Sequence, residues 1–271
     1  MNDTITDSEA AFKKYEYAGA YHHALMDDDP FYIAKIQRAV SLVRRGAVVL
    51  DVGCGDGVFV KYACEVDAKV IGIDTSEEGV RLARVMTGSG ELCVAAADVL
   101  PIRSSSLDVV VMIDVVNYLP DCEEAIREAA RALRTNGILI VMSPCDVSLE
   151  AERADIDDSW QTHVWTVETL RVLIEKHLCV DDVSFIEKVV PPRILVVLAR
   201  WIRATGLLGM VRRLVHVLQA IRPGVGRQRT AVSLPNGRDI VLNPLSLPRS
   251  LVIGREKLEF IIVARREDAA S

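Results

Sequence analysis

The sequence predicts an α/β protein built on a doubly wound, mostly parallel sheet, and three observations predict it. Short β-branched runs alternate with helical patterns from residue 47 to 143, which is the rhythm of βαβ units. The run Val109 to Ile113 has no polar face, as a strand covered by helices on both sides requires. A glycine-rich turn follows the first strand directly, and acidic residues stand at the ends of the strands, the edge where such sheets bind ligands.

Each element follows from the pattern. Val48 to Val52 reads as a buried strand and Val58 to Val66 as its crossover helix. Lys69 to Ile73 is the second strand, with a helix over Glu77 to Met86. Glu91 to Ala96 is a third strand, Val109 to Ile113 a fourth, and Ile138 to Met142 a fifth. The helix between the last two runs from Cys122 to Leu133, and Asn136-Gly137 is expected to close it. Upstream, Phe31 to Arg45 carries apolar residues at helical spacing and stops at Gly46. Downstream, Thr166 to His177 is helical with Thr166 as N-cap. A full capping box is not expected there, because the third residue after Thr166 is Thr169 rather than Glu or Gln. Val180 to Ile186 and Leu258 to Ala264 are two further strands.

Some 70 residues separate those strands, far more than an ordinary connection. Pro191 to Arg222 reads as one or two helices, and Pro235-Asn236-Gly237 lies between two extended runs as a hairpin turn. The expected organisation is an N-terminal helical lead over 1–45, a ligand-binding core over 46–190, an insertion over 191–253, and a last core strand with tail over 254–271.

Composition bounds the function. Half of the 271 residues are hydrophobic and 26% are charged, the balance of a folded domain. The net charge of −6 argues against general nucleic-acid binding. Six cysteines are scattered without a CxxC pair, so neither a zinc site nor a dithiol motif is indicated and free thiols are expected. The acidic N-terminus lacks the order of a signal peptide. No apolar run approaches the ~20 residues of a membrane span, so a soluble, cytoplasmic protein is expected.

The chemistry concentrates in Leu50-Asp51-Val52-Gly53-Cys54-Gly55-Asp56-Gly57. Glycines let the chain turn sharply and bring its backbone against a ligand. A dinucleotide fingerprint would need its third glycine at position 58, which is Val58, so the loop favours an adenosyl ligand with a small cationic tail over one with a pyrophosphate. Asp51 and Asp56 agree, because carboxylates repel pyrophosphate and attract a sulfonium or an ammonium group. Asp74, with Thr75 after it, ends the second strand, where a carboxylate can accept both ribose hydroxyls. Asp98 and Val99 follow the third strand, where Asp98 can accept the adenine amino group. Taken singly, each aspartate is also an ordinary turn residue.

In these elements the chain resembles the class I S-adenosylmethionine-dependent methyltransferases, from about Gly46 to Pro144. The resemblance implies a Rossmann-like fold of seven strands in which the last is antiparallel and inserts between the fifth and sixth. It implies S-adenosylmethionine as cofactor. Gly53, Cys54, Gly55 and Gly57 would border its methionine part, Asp74 would take the ribose and Asp98 the adenine. Ile113-Asp114-Val115 would line the methionine end by backbone contact. Many small-molecule members carry a histidine pair shortly after the fourth strand, where this chain has Asn117-Tyr118.

Methyl transfer from a sulfonium mainly requires approach and orientation, with a base only for a hydroxyl or protonated amine. His163 is the foremost candidate base; Tyr21, His22 and His23 are others, and each has an alternative role in packing. No metal cluster is apparent. From Pro191 to Arg229 there are eight arginines and no Lys, Asp or Glu, while the rest of the chain holds 24 basic and 38 acidic residues. Two readings of that stretch stand side by side: helices capping the sheet with a solvated arginine face, and a surface for an anionic acceptor or peripheral contact with an anionic membrane. A small-molecule, lipid-linked or glycan acceptor fits the whole. A nucleotide-dependent oxidoreductase and a non-catalytic protein that binds the same cofactor are the alternatives.

Overall fold

A computed structural model of the chain describes residues 19–145, 163–190, 231–233, 239–241 and 254–267. Six helices are described: α1 (Tyr21–Asp28), α2 (Pro30–Ser41), α3 (Val58–Glu65), α4 (Glu77–Thr87), α5 (Cys122–Ala132) and α6 (Val167–Glu175). The strands are β1 (Val48–Val52), β2 (Lys69–Asp74), β3 (Glu91–Val94), β4 (Leu107–Ile113), β5 (Leu133–Pro144), β6 (Cys179–Val190), β7 (Ala231–Ser233), β8 (Asp239–Val241) and β9 (Gly254–Arg265).

Seven strands form one sheet in the order β3-β2-β1-β4-β5-β9-β6. The pairs β1–β2, β2–β3, β1–β4 and β4–β5 are parallel, and β9 runs antiparallel to β5. The last strand thus inserts beside the fifth, as the family resemblance implied. The chain leaves β1 towards β2 and β3, then returns to its other side with β4 and β5. That reversal opens a crevice at the carboxyl ends of β1 and β4.

The absence of a polar face on the central strands is explained by the two layers that cover them. Leu50, Val52, Val110, Met112, Leu139 and Val141 point to one face, where they meet Ile126 and Ala129 of α5 and Leu170 and Ile174 of α6. Val49, Val109, Val111, Ile140 and Met142 point to the other, against Ile36 and Ala39 of α2 and Phe59, Val60 and Ala63 of α3. Successive residues alternate between these layers because side chains alternate along a strand.

Three local expectations are corrected. The helix expected to reach Arg45 ends at Ser41, because Leu42 and Val43 turn to bonds with the carbonyls of Ala39 (3.1 Å) and Val40 (3.0 Å), the tightened pattern of a helix end. Asn136-Gly137 does not close α5. Leu133 is already extended (φ −63°, ψ 144°) and pairs with Leu107, and residues 134–137 bulge before pairing resumes at Val109↔Ile138. At α6 the cap is reciprocal after all. Thr169 N–H donates to Thr166 Oγ1 and Thr166 N–H to Thr169 Oγ1, both at 3.1 Å, since a threonine hydroxyl can fill the role usually taken by a carboxylate.

The chain divides into two compact units, residues 1–186 with 257–271, and residues 187–256. Within the second, β7 and β8 pair antiparallel, as the hairpin signal indicated. The helices expected over 191–222 and the arginine-rich stretch lie outside the described residues.

Because Leu139 is fully buried on the central strand face, Leu139→Ala is expected to cost about 2–5 kcal/mol in urea unfolding. Val172→Ala, at a site 63% exposed on α6, is expected to shift stability by no more than about 0.5 kcal/mol. Equal effects at the two sites would contradict this assignment of the core.

Candidate cofactor site

The glycine loop leaves β1 through three left-handed residues, Gly53 (φ +71°), Gly55 (φ +51°) and Gly57 (φ +84°). A Cβ at Gly53 would strike the Val115 side chain, and one at Gly57 would come within 2.7 Å of Thr87 Cγ2 and 2.9 Å of Ala83 Cβ. Glycine is therefore required twice over, by backbone conformation and by space. The loop is fastened to β2. Cys54 N–H donates to the Ile73 carbonyl at 2.9 Å, and Gly55 N–H donates to Asp74 Oδ2 at 2.8 Å. The other oxygen of Asp74 accepts from Ser76 N–H at 2.8 Å.

Asp51 is only 3% exposed, and its carboxyl meets no cation and no hydrogen-bond donor among the described residues. Burial, reinforced by the charge of Asp74, pushes its pKa well above the usual carboxylate range. Asp74 is also raised by burial, and the N–H groups of Ser76 and Gly55 act against that rise. The crevice thus holds a buried carboxyl whose ionised form lacks a counter-charge among the described residues.

The N-terminal lead lies against this loop. Asp56, 1% exposed, accepts from His22 N–H at 3.0 Å on Oδ2, and its Oδ1 pairs with His22 Nδ1 at 3.1 Å. His23 Nε2 is 3.0 Å from the Asp56 carbonyl. Two of the candidate bases are therefore engaged in holding α1 to the loop. Tyr21 and Tyr32 stay neutral phenols. Burial raises both far above the ordinary tyrosine value, helped by Asp56 and Asp114.

At the end of β4, Asp114 has φ +55° and its N–H donates to the Met142 carbonyl at 3.0 Å. Lys35 of α2 donates to Asp114 Oδ2 at 2.6 Å and forms an ion pair with Glu259 Oε2 of β9 at 2.7 Å. Burial alone would lower the Lys35 pKa, but its two carboxylate partners outweigh that and raise it. The residues after β4 are tied to the segment before α6. His163 N–H donates to the Asn117 carbonyl at 3.1 Å, and Trp165 Nε1–H to the Val116 carbonyl at 3.0 Å. Asn117 Oδ1 accepts from Ser143 Oγ at 2.7 Å.

The structure thus brings Asp51, Gly53, Cys54, Gly55, Gly57, Asp74 and Asp114 to the carboxyl ends of β1, β2 and β4, neighbours in the sheet. Thr75 is exposed at the end of β2, and Asp98 and Val99 are exposed beyond β3. His163 joins the same edge through Asn117. Lys35 and Glu259 escaped the sequence reading. Their signal was a single charge inside an apolar run, Phe31-Tyr32-Ile33-Ala34-Lys35-Ile36 and Glu259-Phe260-Ile261-Ile262-Val263.

These residues fit S-adenosylmethionine. A buried carboxyl with no counter-charge among the described residues suits an ammonium group and repels a pyrophosphate, and a side-chain-free loop admits close approach. Residues 50–141 match the family model of a methyltransferase domain. The 27-O-demethylrifamycin SV methyltransferase of Amycolatopsis mediterranei is 31% identical over 155 residues, 49% of this chain and 56% of that protein. A ubiquinone biosynthesis O-methyltransferase of Idiomarina loihiensis is 32% identical over 97 residues, 34% of this chain and 40% of that protein. The chain spans about half the length of the curated relatives it matches. Among solved structures, an S-adenosylmethionine-dependent methyltransferase of Methanosarcina mazei shares the fold, with TM-score 0.53 and 17% identity over 85% of this chain and 97% of that one. The glycine loop, the strand order and these likenesses agree: residues 50–141 match a methyltransferase domain, and the chain is similar to class I S-adenosylmethionine-dependent methyltransferases.

Proposed function

We propose that the protein methylates a hydroxyl group of a small-molecule acceptor, with S-adenosylmethionine as donor. The observation that carries this reading is the glycine loop stitched to Asp74 beside the buried, uncompensated carboxyl of Asp51. The O-methyltransferase among the relatives supports a hydroxyl acceptor. When bound, the donor supplies a methyl group already activated by its sulfonium. What the chain contributes is orientation. Asp51 attracts the ammonium group of the amino-acid tail. Asp74 offers its carboxylate to the ribose while holding the loop, and Asp98 with Val99 borders the adenine. Gly53, Cys54, Gly55 and Gly57 offer backbone to the tail.

A hydroxyl acceptor must lose its proton, and His163 is the proposed base. Its segment is anchored to Asn117, next to the position where many small-molecule relatives carry histidines. The arginine-rich stretch 191–229 supports a second reading, a lipid-linked or glycan acceptor approached at an anionic membrane, since its charge opposes that of the rest of the chain. No described helix is long and apolar enough to cross a membrane.

Isotopically labelled S-adenosylmethionine, incubated with the protein and with separate small-metabolite and lipid fractions, is expected to give a methyl mass gain in the small-metabolite fraction. Gain only among lipids would favour the second reading, and gain in neither would leave a non-catalytic binder. His163→Ala is expected to lower turnover by roughly 10²–10⁴ with donor affinity unchanged. A loss below about threefold would return His163 to packing.

The raised pKa of Asp51 has a further consequence. A carboxyl raised in the folded state favours folding most below its unfolded value, and that contribution is lost as pH rises through the folded value. A bound ammonium reverses the balance by favouring the ionised form. Binding of S-adenosylmethionine at mildly acidic pH is therefore expected to release protons, seen as a calorimetric enthalpy that depends on the buffer. Asp51→Asn is expected to remove most of that dependence, and an unchanged dependence would assign the proton elsewhere.

A further inference from the structure

We infer that Tyr32, in the first turn of α2, is the hydrogen-bond donor that holds the carboxylate of the cofactor's amino-acid tail. The inference rests on the proposed methyltransferase reading and adds a residue of the N-terminal lead to its cofactor site.

Three observations support it. The first is where the ring lies. Asp29 caps α2, accepting from Phe31 N–H at 2.8 Å and from Tyr32 N–H at 3.2 Å, so Tyr32 stands on a fixed helix start. Its ring stacks on that of His22, with centroids 5.6 Å apart and planes 12° from parallel, and His22 is bound to Asp56 of the glycine loop. Lys35 Nζ is 5.9 Å from the same ring centroid and donates to Asp114 at the end of β4. Tyr32 therefore lies between the loop after β1 and the end of β4, the two walls of the crevice. Its hydroxyl is within electrostatic reach of Asp51, Asp56 and Asp114.

The second is the state of that hydroxyl. Tyr32 is half-buried. Its hydroxyl makes no hydrogen bond among the described residues and, unlike Asp114 Oδ1, is not sealed from solvent. Burial, helped by the neighbouring carboxylates, keeps the phenol protonated. It can donate a hydrogen bond without adding another negative charge to the crevice.

The third is how the other groups are engaged. The tail of S-adenosylmethionine carries an ammonium and a carboxylate. On the proposed reading Asp51 takes the ammonium. The carboxylate enters a region that holds Asp51, Asp56, Asp74 and Asp114, where only hydrogen-bond donors can offset the like charge. Three amides of the loop already have partners: Cys54 N–H the Ile73 carbonyl, Gly55 N–H Asp74 Oδ2, and Gly57 N–H the Cys54 carbonyl. Lys35 is engaged by Asp114 and Glu259, and His22 by Asp56. Both charged groups of the tail hang from one carbon, so the partner of the carboxylate must lie near Asp51. Of the two neutral phenols of the region, Tyr32 is reached by Asp51, while Tyr21 is reached by Asp74, at the ribose end.

Calorimetric titration of the full chain with three ligands tests the assignment. They are S-adenosylhomocysteine, its decarboxylated form, which keeps the ammonium group, and methylthioadenosine, which lacks both charged groups. The wild type is expected to bind S-adenosylhomocysteine roughly tenfold or more tightly than the decarboxylated form, the scale of one charge-assisted hydrogen bond. Tyr32→Phe keeps the ring against His22 and removes only the hydroxyl. It is expected to erase most of that ratio by weakening S-adenosylhomocysteine, with the other two ligands bound as before. Tyr21→Phe is expected to leave the ratio intact. A hydroxyl with a purely structural role would weaken all three ligands alike. Equal wild-type affinity for the first two ligands, a ratio unchanged in Tyr32→Phe, equal weakening of all three ligands, or a ratio lost in Tyr21→Phe instead would each overturn the inference. Failure of the wild type to bind any of the three would overturn the methyltransferase reading instead.

Discussion

Two hydrogen bonds to one carboxylate organise the candidate site. Asp74 accepts from Gly55 N–H and Ser76 N–H, each at 2.8 Å, so one side chain at the end of β2 fixes both the glycine loop after β1 and the first turn before α4. The same Ser76 then caps α4, its Oγ accepting from Gly79 N–H at 3.0 Å. Loop, strand end and helix start are thereby one unit. Backbone N–H groups outside regular structure must find partners when buried, and here a potential ligand-binding residue provides them. Asp74 consequently serves the fold and the ligand at once, and its removal would disturb more than a single contact.

The second organising constraint is excess negative charge at the sheet's carboxyl edge. Among the described residues Asp51 is buried without a partner, Asp56 is enclosed by α1, and Lys35 meets both Asp114 and Glu259. Such an arrangement is unfavourable for an isolated fold, because each ionised group lacks part of its solvation. It suits a cationic donor whose charge compensates it. The same field disfavours anions near the carboxyl edge of the sheet.

Much of this was legible in the sequence, for definite physical reasons. β1 was read to the residue and α3 and α4 to within one, because hydrophobic periodicity and glycine loops are local signals. The antiparallel place of β9 came from family resemblance, since nothing local in Leu258 to Ala264 states which strand it will join. Besides the reciprocal cap of α6, three things were misread or unseen. The end of α2 depends on a tightened last turn rather than on a stop residue. The bulge over 134–137 depends on β4 pairing with Leu133. The Lys35–Glu259 pair depends on α2 and the last strand meeting through the fold. In the last two cases the deciding partner lies outside the window that a propensity argument covers, while the end of α2 turns on local bonds that no stop residue marks. The glycine loop and Asp74 were legible because turn chemistry and strand ends announce themselves; the network behind Asp114 was not, because its three members announce themselves only as isolated charges in apolar runs.

The central claim is that the crevice between β1 and β4 receives S-adenosylmethionine through groups already in place. A crystal structure of the chain with S-adenosylhomocysteine tests it most directly. The account predicts the ribose hydroxyls on the Asp74 carboxylate, the ammonium group facing Asp51, and the tail lying along Gly53 to Gly57, with the sheet unchanged. Ligand bound away from this edge, or bound here with its ammonium group turned from Asp51, would contradict it.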